Sequence, residues 1–227
     1  MLLSPTIETL TLEETLKHIA EKYPHKAAFS TSLSLEDQLI THYIFANELP
    51  IKVFTLDTGR LFPETYSVLS STLERYGKQI EVFFPKNDAV EKLVTEKGPS
   101  SFYQSLEDRK ECCFIRKVEP LNRALQGIDC WITGLRAEHS ENRKAMQMVE
   151  VDESRKIVKV HPLTNWSTEE VRTEITKYNI PYNILHDRGF VSIGCQPCTR
   201  AIREGDDFRA GRWWWENNDK KECGLHA

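Results

Sequence analysis

The cysteines are the residues of this chain whose spacing most directly indicates chemistry. Cys112 and Cys113 are adjacent, and Cys195 and Cys198 form a C-x-x-C pair. Cys223 stands alone in a short polar tail that follows three consecutive tryptophans. A cysteine thiolate is both a nucleophile and a metal ligand. The pattern therefore predicts a site of four ligand thiolates together with one separate nucleophilic thiol.

The adjacent pair bears on what the four thiolates bind. Zinc sites of four cysteines ordinarily use two C-x-x-C knuckles, and neighbouring residues reach two vertices of one tetrahedron poorly. In a [4Fe–4S] cluster each cysteine binds a different iron, which suits an adjacent pair. The spacing therefore favours a [4Fe–4S] cluster and leaves zinc as the alternative. A vicinal disulfide is strained, and a reducing compartment opposes it.

The remaining cysteines have different expected roles. Cys130 lies in the apolar stretch 129–132 and is expected to be an inert core residue. Cys223 has Lys221 and His226 close in sequence, and both favour the thiolate form. The alternative for Cys223 is an incidental cysteine on a frayed end. The tryptophans at 213–215 are not all expected in the core, since some of them pack the start of the tail.

Composition limits the classes of function. The chain has 227 residues and a formal net charge of −4, which argues against a general nucleic-acid-binding surface. Neither a signal peptide nor an apolar run of membrane-spanning length is evident, so a cytoplasmic protein without a membrane partner is expected. The length indicates one α/β domain over 1–205, followed by an Arg/Trp segment and tail over 206–227.

Strands and helices alternate along the predicted secondary structure. Apolar runs predict strands over 26–30, 51–56, 79–84 and 130–133, and a late hairpin over 146–151 and 156–160. Helical periodicity and capping signals predict helices over 11–21, 35–47, 63–76, 88–97, 114–125 and 167–178. This alternation favours a parallel sheet covered by helices on both faces. After residue 186 the pattern is irregular.

Two polar turns at predicted strand ends are candidate anion sites. In an open parallel sheet, ligands bind beyond the carboxyl ends of strands. Ser30 and Ser32 lie in the first turn and Thr58 lies in the second. Neither a Walker nor a dinucleotide glycine motif is present, which disfavours those classes. The alternative is that the serine-rich turn only caps the following helix.

Basic side chains form the second half of this anion-site hypothesis. Arginine suits bidentate contacts to phosphate or sulfate. Each arginine taken singly is better explained as a solvated surface charge. The group gains weight because an R-A-G-R run lies between the C-x-x-C pair and the tail. The candidate cations are Lys117, Arg136, Arg203, Arg209 and Arg212.

Taken together, these motifs resemble the assimilatory adenylylsulfate (APS) reductase family over the chain from about residue 26 to its end. The resemblance lies in a set of stretches that combine the cysteine pairs with the turns and the tail. They are 30–37, 56–66, 107–113 (E-D-R-K-E-C-C), 115–121, 131–136, 161–166, 193–200 (I-G-C-Q-P-C-T-R), 209–215 (R-A-G-R-W-W-W) and 221–226 (K-E-C-G-L-H).

The resemblance implies a Rossmann-like PP-loop fold of the adenine nucleotide alpha-hydrolase type, with a flexible C-terminal catalytic tail. It implies reduction of APS to sulfite and AMP in sulfate assimilation for cysteine biosynthesis, with electrons from thioredoxin or a glutaredoxin-like dithiol. Cys223 would attack the sulfate sulfur and carry a thiosulfonate, with His226 near the substrate. Lys117 would bridge cluster and substrate. Arg136, Arg209 and Arg212 would hold the phosphosulfate, and Cys112, Cys113, Cys195 and Cys198 the [4Fe–4S] cluster.

One position departs from the family pattern, and several alternatives stay open. Family members commonly have glycine where this chain has Ser34, so the geometry of that loop is in question. The substrate could be 3′-phospho-APS (PAPS), or both nucleotides. Another class of protein, a zinc-bound nucleotide-sensing module, predicts no turnover. A PP-loop ligase predicts pyrophosphate release and leaves the tail unexplained. A homo-oligomer is an expectation from the resemblance alone.

Overall fold

The computed structural model describes residues 5–139, 145–216 and 225. Cys223 and His226 lie outside the described residues. The chain forms two compact units, each built from separate stretches of sequence. The first unit comprises Met1–Thr55, Pro63–Glu81 and Gly127–Ile184, and the second comprises Leu56–Phe62, Val82–Gln126 and Leu185–Ala227. The division at residue 205 remains a prediction.

A six-stranded sheet confirms the predicted α/β class. Its strands are β1 (Ala27–Thr31), β2 (Lys52–Leu56), β3 (Glu81–Phe83), β4 (Cys130–Ile132), β5 (Val149–Asp152) and β6 (Ile157–Val160), in the order β3-β2-β1-β4-β6-β5. Strand β1 is parallel to β2 and β4, and β4 is parallel to β6. Strand β5 is antiparallel to β6, as the predicted hairpin requires.

The helices of the first unit begin where the sequence signals place them. They are α1 (Leu12–Lys22), α2 (Leu35–Ala46), α3 (Pro63–Tyr76) and α7 (Thr168–Lys177). Thr11 and Ser167 each form a complete capping box, which satisfies backbone N–H groups that the first turn leaves open. The first unit's core includes Phe29 and Cys130, both with no exposed surface. Burial raises the pKa of the Cys130 thiol to about 12, in keeping with an inert residue.

The helices of the second unit correct one prediction. Helix α4 covers Asn87–Lys97, α5 covers Leu106–Cys113, a π-helical turn covers Phe114–Val118, and α6 covers Glu119–Ala124. The predicted helix start near residue 114 was therefore wrong by eight residues. Ser105 provides the earlier start, because its side chain accepts a hydrogen bond from the backbone N–H of Asp108 at 3.0 Å. The adjacent cysteines consequently lie at the end of a helix.

The last described part of the chain is irregular, as predicted. A 3-10 turn covers Gln196–Cys198, and an antiparallel bridge joins Thr199 to Arg212. None of the helices in the described ranges is both long enough and apolar enough to cross a membrane.

Candidate functional site

The four predicted ligand cysteines line one cavity in the second unit, here called the cysteine cavity. Cys113, Cys195 and Cys198 are each 8% exposed, and Cys112 is half-buried. The cavity and its mouth contain about 310 Å³ of space that protein atoms leave empty. Its other lining residues are Arg60, Phe102, Arg109, Arg116, Lys117 and Pro197.

A helix end and a tight turn position the two cysteine pairs at this cavity. Cys112 and Cys113 end helix α5, and the π-helical turn that follows supplies Arg116 and Lys117. Single π-helical turns are frequent at functional sites. The C-x-x-C pair is held by its own tight turn, in which the backbone N–H of Cys198 donates to the Cys195 carbonyl at 2.9 Å.

The turn that contains Thr58 contacts the C-x-x-C pair directly. The Thr58 hydroxyl oxygen lies 3.3 Å from Cys195 Sγ. The backbone N–H of Gln196 donates to the Arg60 carbonyl at 2.8 Å. Gly59 between them has φ +71°, a conformation that glycine adopts without strain. Thr58, predicted as a substrate ligand, is thus placed against a cysteine sulfur.

The two cysteines of the C-x-x-C pair differ in acidity. Burial raises the pKa of the Cys195 thiol, but the opposing effects of Lys117, the Thr58 hydroxyl and nearby arginines leave the pKa below its usual value. Burial raises the pKa of Cys198 to about 12, and Cys195 adds to that increase. Burial also raises the pKa of Cys112. Of these three thiols, only Cys195 therefore has a pKa below its usual value.

Three buried N–H donors near these sulfurs lack an acceptor. They are Arg116 Nε, Arg212 Nε and Trp213 Nε1, and their residues are 6%, 7% and 1% exposed. Buried donors without acceptors are costly and call for an explanation. Arg116 lines the cysteine cavity and Trp213 packs on its cysteines, so a sulfur-ligated anion there would fit these two donors. Within the described ranges, no three His, Cys, Asp or Glu side chains are grouped to hold one metal ion.

The Arg/Trp segment packs on the same cysteines. Trp213 belongs to the buried cluster of Phe102, Cys113, Cys195 and Cys198. Its backbone N–H lies 3.3 Å from the Cys198 carbonyl. Trp214 and Trp215 are only partly buried, which confirms that the three tryptophans are not all core residues.

Three guanidinium groups surround the Trp213 ring. Arg109, Arg212 and Arg209 have their Cζ atoms 4.4, 4.7 and 5.6 Å from the ring centroid. Arg109 also forms a bidentate ion pair with Glu216, in which Nε and Nη2 donate to Oε1 and Oε2 at 2.7 and 3.0 Å. The predicted anion ligands Arg209 and Arg212 contact the Trp213 indole. Because Trp213 packs on the cysteines of the cysteine cavity, both arginines lie near that cavity.

The predicted phosphate loop lies in the first unit, and its hydroxyls have protein partners. Trp131 Nε1 donates to Ser30 Oγ at 2.8 Å. The backbone N–H and hydroxyl of Ser32 donate to Asp37 Oδ2 at 2.5 and 2.6 Å. Ser34 has an ordinary φ of −75°, and its side chain makes no capping bond. The positive φ in this loop, +63°, belongs to Leu33, so serine at position 34 causes no backbone strain.

Arg136, the predicted phosphosulfate ligand of the first unit, is fully buried and bonded to protein. Its Nε and Nη2 contact Glu36 Oε1 at 3.0 and 2.9 Å. Its remaining acceptors are Glu138, the Trp166 carbonyl and Thr168. Every guanidinium nitrogen thus has a protein acceptor. Its role as a substrate ligand stays a prediction that requires these contacts to rearrange.

Asp37 predicts a measurable pH dependence of stability. Burial raises the pKa of this carboxyl to about 7, although the Ser32 hydrogen bonds oppose the shift. A carboxyl whose pKa is higher when folded binds its proton more tightly in the folded state. Its contribution to the free energy of unfolding therefore falls as pH rises from about 4 to about 7, by at most about 1.4 kcal/mol per pH unit.

Asp37→Asn should remove this pH-dependent component. We expect urea unfolding between pH 5 and pH 8 to give a flatter pH profile for the variant than for the wild type. The difference between the two profiles isolates Asp37 from other titrating groups. Parallel profiles would contradict the assignment of a high pKa to this carboxyl.

The sequence predicts only part of the cysteine cavity. The structure brings Lys117 and Thr58 to the four cysteines, whereas Ser30, Ser32 and Arg136 belong to the first unit. The sequence motifs do not predict four other residues that line the cavity, which are Arg60, Phe102, Arg109 and Arg116. Two of them carried a weak signal, since Arg109 and Arg116 each lie within three residues of a cysteine.

Comparisons with known proteins identify the family of this chain. The family model "Phosphoadenosine phosphosulfate reductase domain" matches residues 26–201. A protein named adenosine 5′-phosphosulfate reductase from Burkholderia cepacia is 50% identical over 215 residues, covering 95% of this chain and 86% of the relative. One of the same name from Allochromatium vinosum is 49% identical over 198 residues, covering 87% and 77%.

Solved structures show the same fold. A phosphoadenylyl-sulfate (PAPS) reductase from Candida auris, in a phosphate complex, superposes with a TM-score of 0.74 at 29% identity. That match covers 89% of this chain and 99% of the other. Yeast FAD synthetase superposes with a TM-score of 0.58 at 16% identity, covering 86% and 66%, and so shows the fold alone. The predicted PP-loop fold is thereby confirmed.

Proposed function

Because the chain belongs to the phosphoadenosine phosphosulfate reductase domain family of oxidoreductases, we propose that it reduces APS to sulfite and AMP. The observation that carries the proposal is the convergence of both cysteine pairs on one cavity lined by cations. Relatives about half identical to this chain bear the name adenosine 5′-phosphosulfate reductase. The reaction belongs to sulfate assimilation.

The proposed reaction has two covalent stages. The Cys223 thiolate attacks the sulfur of the sulfuryl group, the bond from that sulfur to the phosphate oxygen breaks, and AMP leaves. Cys223 then carries a thiosulfonate. A thiolate of a thioredoxin-type or glutaredoxin-like dithiol attacks Cys223 Sγ and releases sulfite. The second thiol of the dithiol resolves the mixed disulfide, so the dithiol is oxidised and the Cys223 thiol is restored.

Residues of the second unit support this chemistry with thiolate ligands, hydrogen-bond donors and positive charge. Cys112, Cys113, Cys195 and Cys198 would hold a [4Fe–4S] cluster, which would supply structural order and a fixed charge beside the sulfate. Arg212 has a free Nε donor and a planar guanidinium that suits an oxoanion. Lys117 lines the same cavity and would neutralise substrate charge. His226 near the substrate remains a prediction from the tail motif.

PAPS is the second candidate substrate. The solved PAPS reductase from Candida auris is 29% identical to this chain, whereas the relatives named adenosine 5′-phosphosulfate reductase reach 50%. The difference in identity places APS first. A cytoplasmic location remains a prediction from the sequence, and self-association remains a prediction from the family resemblance.

Trapping the covalent intermediate tests the proposed function. The holoprotein is incubated anaerobically with APS and no reductant, and its peptides are then weighed. We expect a sulfonate-sized mass gain on the Cys223 peptide with an equal amount of AMP released, because nothing is present to resolve the thiosulfonate. An adduct formed only with PAPS would transfer the proposal to that nucleotide. No adduct with either nucleotide would support the binding-module alternative.

A further inference from the structure

We propose that Arg116 is a positioning residue that ties the two cysteine pairs together and donates its Nε–H to the sulfur-ligated group in the cysteine cavity. The inference rests on the cluster in the proposed function. It concerns a residue that sequence motifs do not single out, since Lys117 beside it carries the expected role.

Arg116 reaches from the helical side of the cavity to the turn on the other side. It lies in the π-helical turn directly after Cys112 and Cys113, and it is 6% exposed. Its Nη1 donates to the Thr58 carbonyl at 2.6 Å. The same side chain lines the cavity together with Cys112 and Cys113. One guanidinium therefore lines the cavity beside the adjacent cysteines and bonds to the turn on its other side.

Thr58 continues the connection to the second cysteine pair. Its hydroxyl oxygen lies 3.3 Å from Cys195 Sγ and accepts the Arg60 backbone N–H at 3.2 Å. The path therefore runs from Cys112 through Arg116 and Thr58 to Cys195. Because Arg116 bonds to the Thr58 carbonyl and the Thr58 hydroxyl contacts Cys195 Sγ, loss of Arg116 releases the turn that positions the Cys195 sulfur.

The Nε of Arg116 has no hydrogen-bond acceptor among the described residues, so we infer that a bound group supplies one. This nitrogen is also buried. A buried donor of a charged group is stabilised only when it is hydrogen-bonded. The cavity that Arg116 lines offers sulfur acceptors, from the four thiolates or from the group they would bind. We assign Nε–H to an N–H···S bond with that group.

Arginine performs a task here that lysine does not. The guanidinium can hold the Thr58 carbonyl with Nη1 while Nε donates elsewhere, because its donors are fixed in one plane. A lysine ammonium keeps the charge but places its donors on a single nitrogen. Arg116→Lys therefore separates the geometry of the side chain from its charge, and Arg116→Gln removes the charge as well.

The test follows the bound group rather than turnover. Wild type, Arg116→Lys and Arg116→Gln are purified anaerobically and assayed for iron and acid-labile sulfide, for the rate of iron loss to a chelator, and by resonance Raman spectroscopy. Loss of an outer-shell partner typically weakens a metal site about 10- to 100-fold. We expect iron loss to accelerate by about that factor in both variants, with shifted Fe–S stretching frequencies in each.

Arg123→Lys is the matched control. Arg123 lies in α6 of the same helical run, pairs with Glu119 at 3.0 Å and is one-third exposed. Its variant should match wild type in chelation rate and spectrum. Arg116 variants that behave like Arg123→Lys would overturn the inference and leave the proposed function standing. Wild-type protein without iron and sulfide would overturn the cluster proposal itself, and the inference with it.

Discussion

Cys223→Ser should bind nucleotide and retain its iron but release no sulfite. A serine hydroxyl is far less acidic than a thiol, so it supplies almost no anionic nucleophile at neutral pH. Serine also cannot form the thiosulfonate that a dithiol would resolve. We expect sulfite release to fall at least about 10³-fold, to the assay background. Turnover with APS and reduced thioredoxin measures this, alongside iron content and nucleotide binding.

A neighbouring substitution distinguishes loss of the thiol from a general disturbance of the tail. Glu222→Gln changes the adjacent residue and leaves Cys223 in place, so it should retain the greater part of the activity. Sulfite release at the wild-type rate by Cys223→Ser would show that another thiol attacks the substrate. It would also leave the K-E-C-G-L-H sequence without a chemical explanation.

The fold could be predicted largely because local signals agree with the tertiary structure. Capping boxes at Thr11 and Ser167 mark the starts of α1 and α7. Short apolar runs alternate with these helices, and that alternation requires parallel strands with helices between them. Residues such as Phe29 and Cys130 could therefore be assigned to the core without coordinates.

Helix α5 was missed because its support is not local. Its sequence, L-E-D-R-K-E-C-C, has little apolar periodicity. Lys97, from the end of α4, contacts Asp108 at 2.7 Å and Glu111 at 2.6 Å. Exposed ion pairs of this kind contribute little singly, but here they join two helices and accompany the Ser105 cap. A sequence window over α5 alone includes the Ser105 cap but not Lys97, the partner that joins this helix to α4.

The cysteine site shows the same division between local and distant information. Cysteine spacing predicts which thiols share one site, because the number and spacing of cysteines can be counted directly in the sequence. The cations that surround them depend on distant contacts. Arg109, for example, pairs with Glu216, which lies 107 positions away. Arg136 is the converse case, since a resemblance assigns it to substrate while the structure surrounds it with protein acceptors.

Cys195→Ser should yield a bleached protein that has lost its bound iron. Cys195 is 8% exposed, lines the cysteine cavity and contacts the Thr58 hydroxyl. Burial raises the pKa of this thiol, but Lys117, the Thr58 hydroxyl and nearby arginines together lower it below its usual value, which favours a thiolate ligand. A serine hydroxyl has a similar shape and can keep the Thr58 contact, but it is a poor ligand for iron. We expect iron and sulfide per chain to fall by about tenfold or more.

Cys130→Ala provides the comparison that makes this loss interpretable. Cys130 is another buried cysteine, but it lies in the apolar core of the first unit and takes no part in the cysteine cavity. Its variant should keep the wild-type iron content and visible absorption, although removal of a buried sulfur lowers stability by about 1 kcal/mol or more. Full iron and sulfide in Cys195→Ser would mean that Cys195 is not a ligand. Iron loss from both variants would trace the effect to weakened folding, whereas loss from Cys195→Ser alone ties the cluster to the cavity where both cysteine pairs meet.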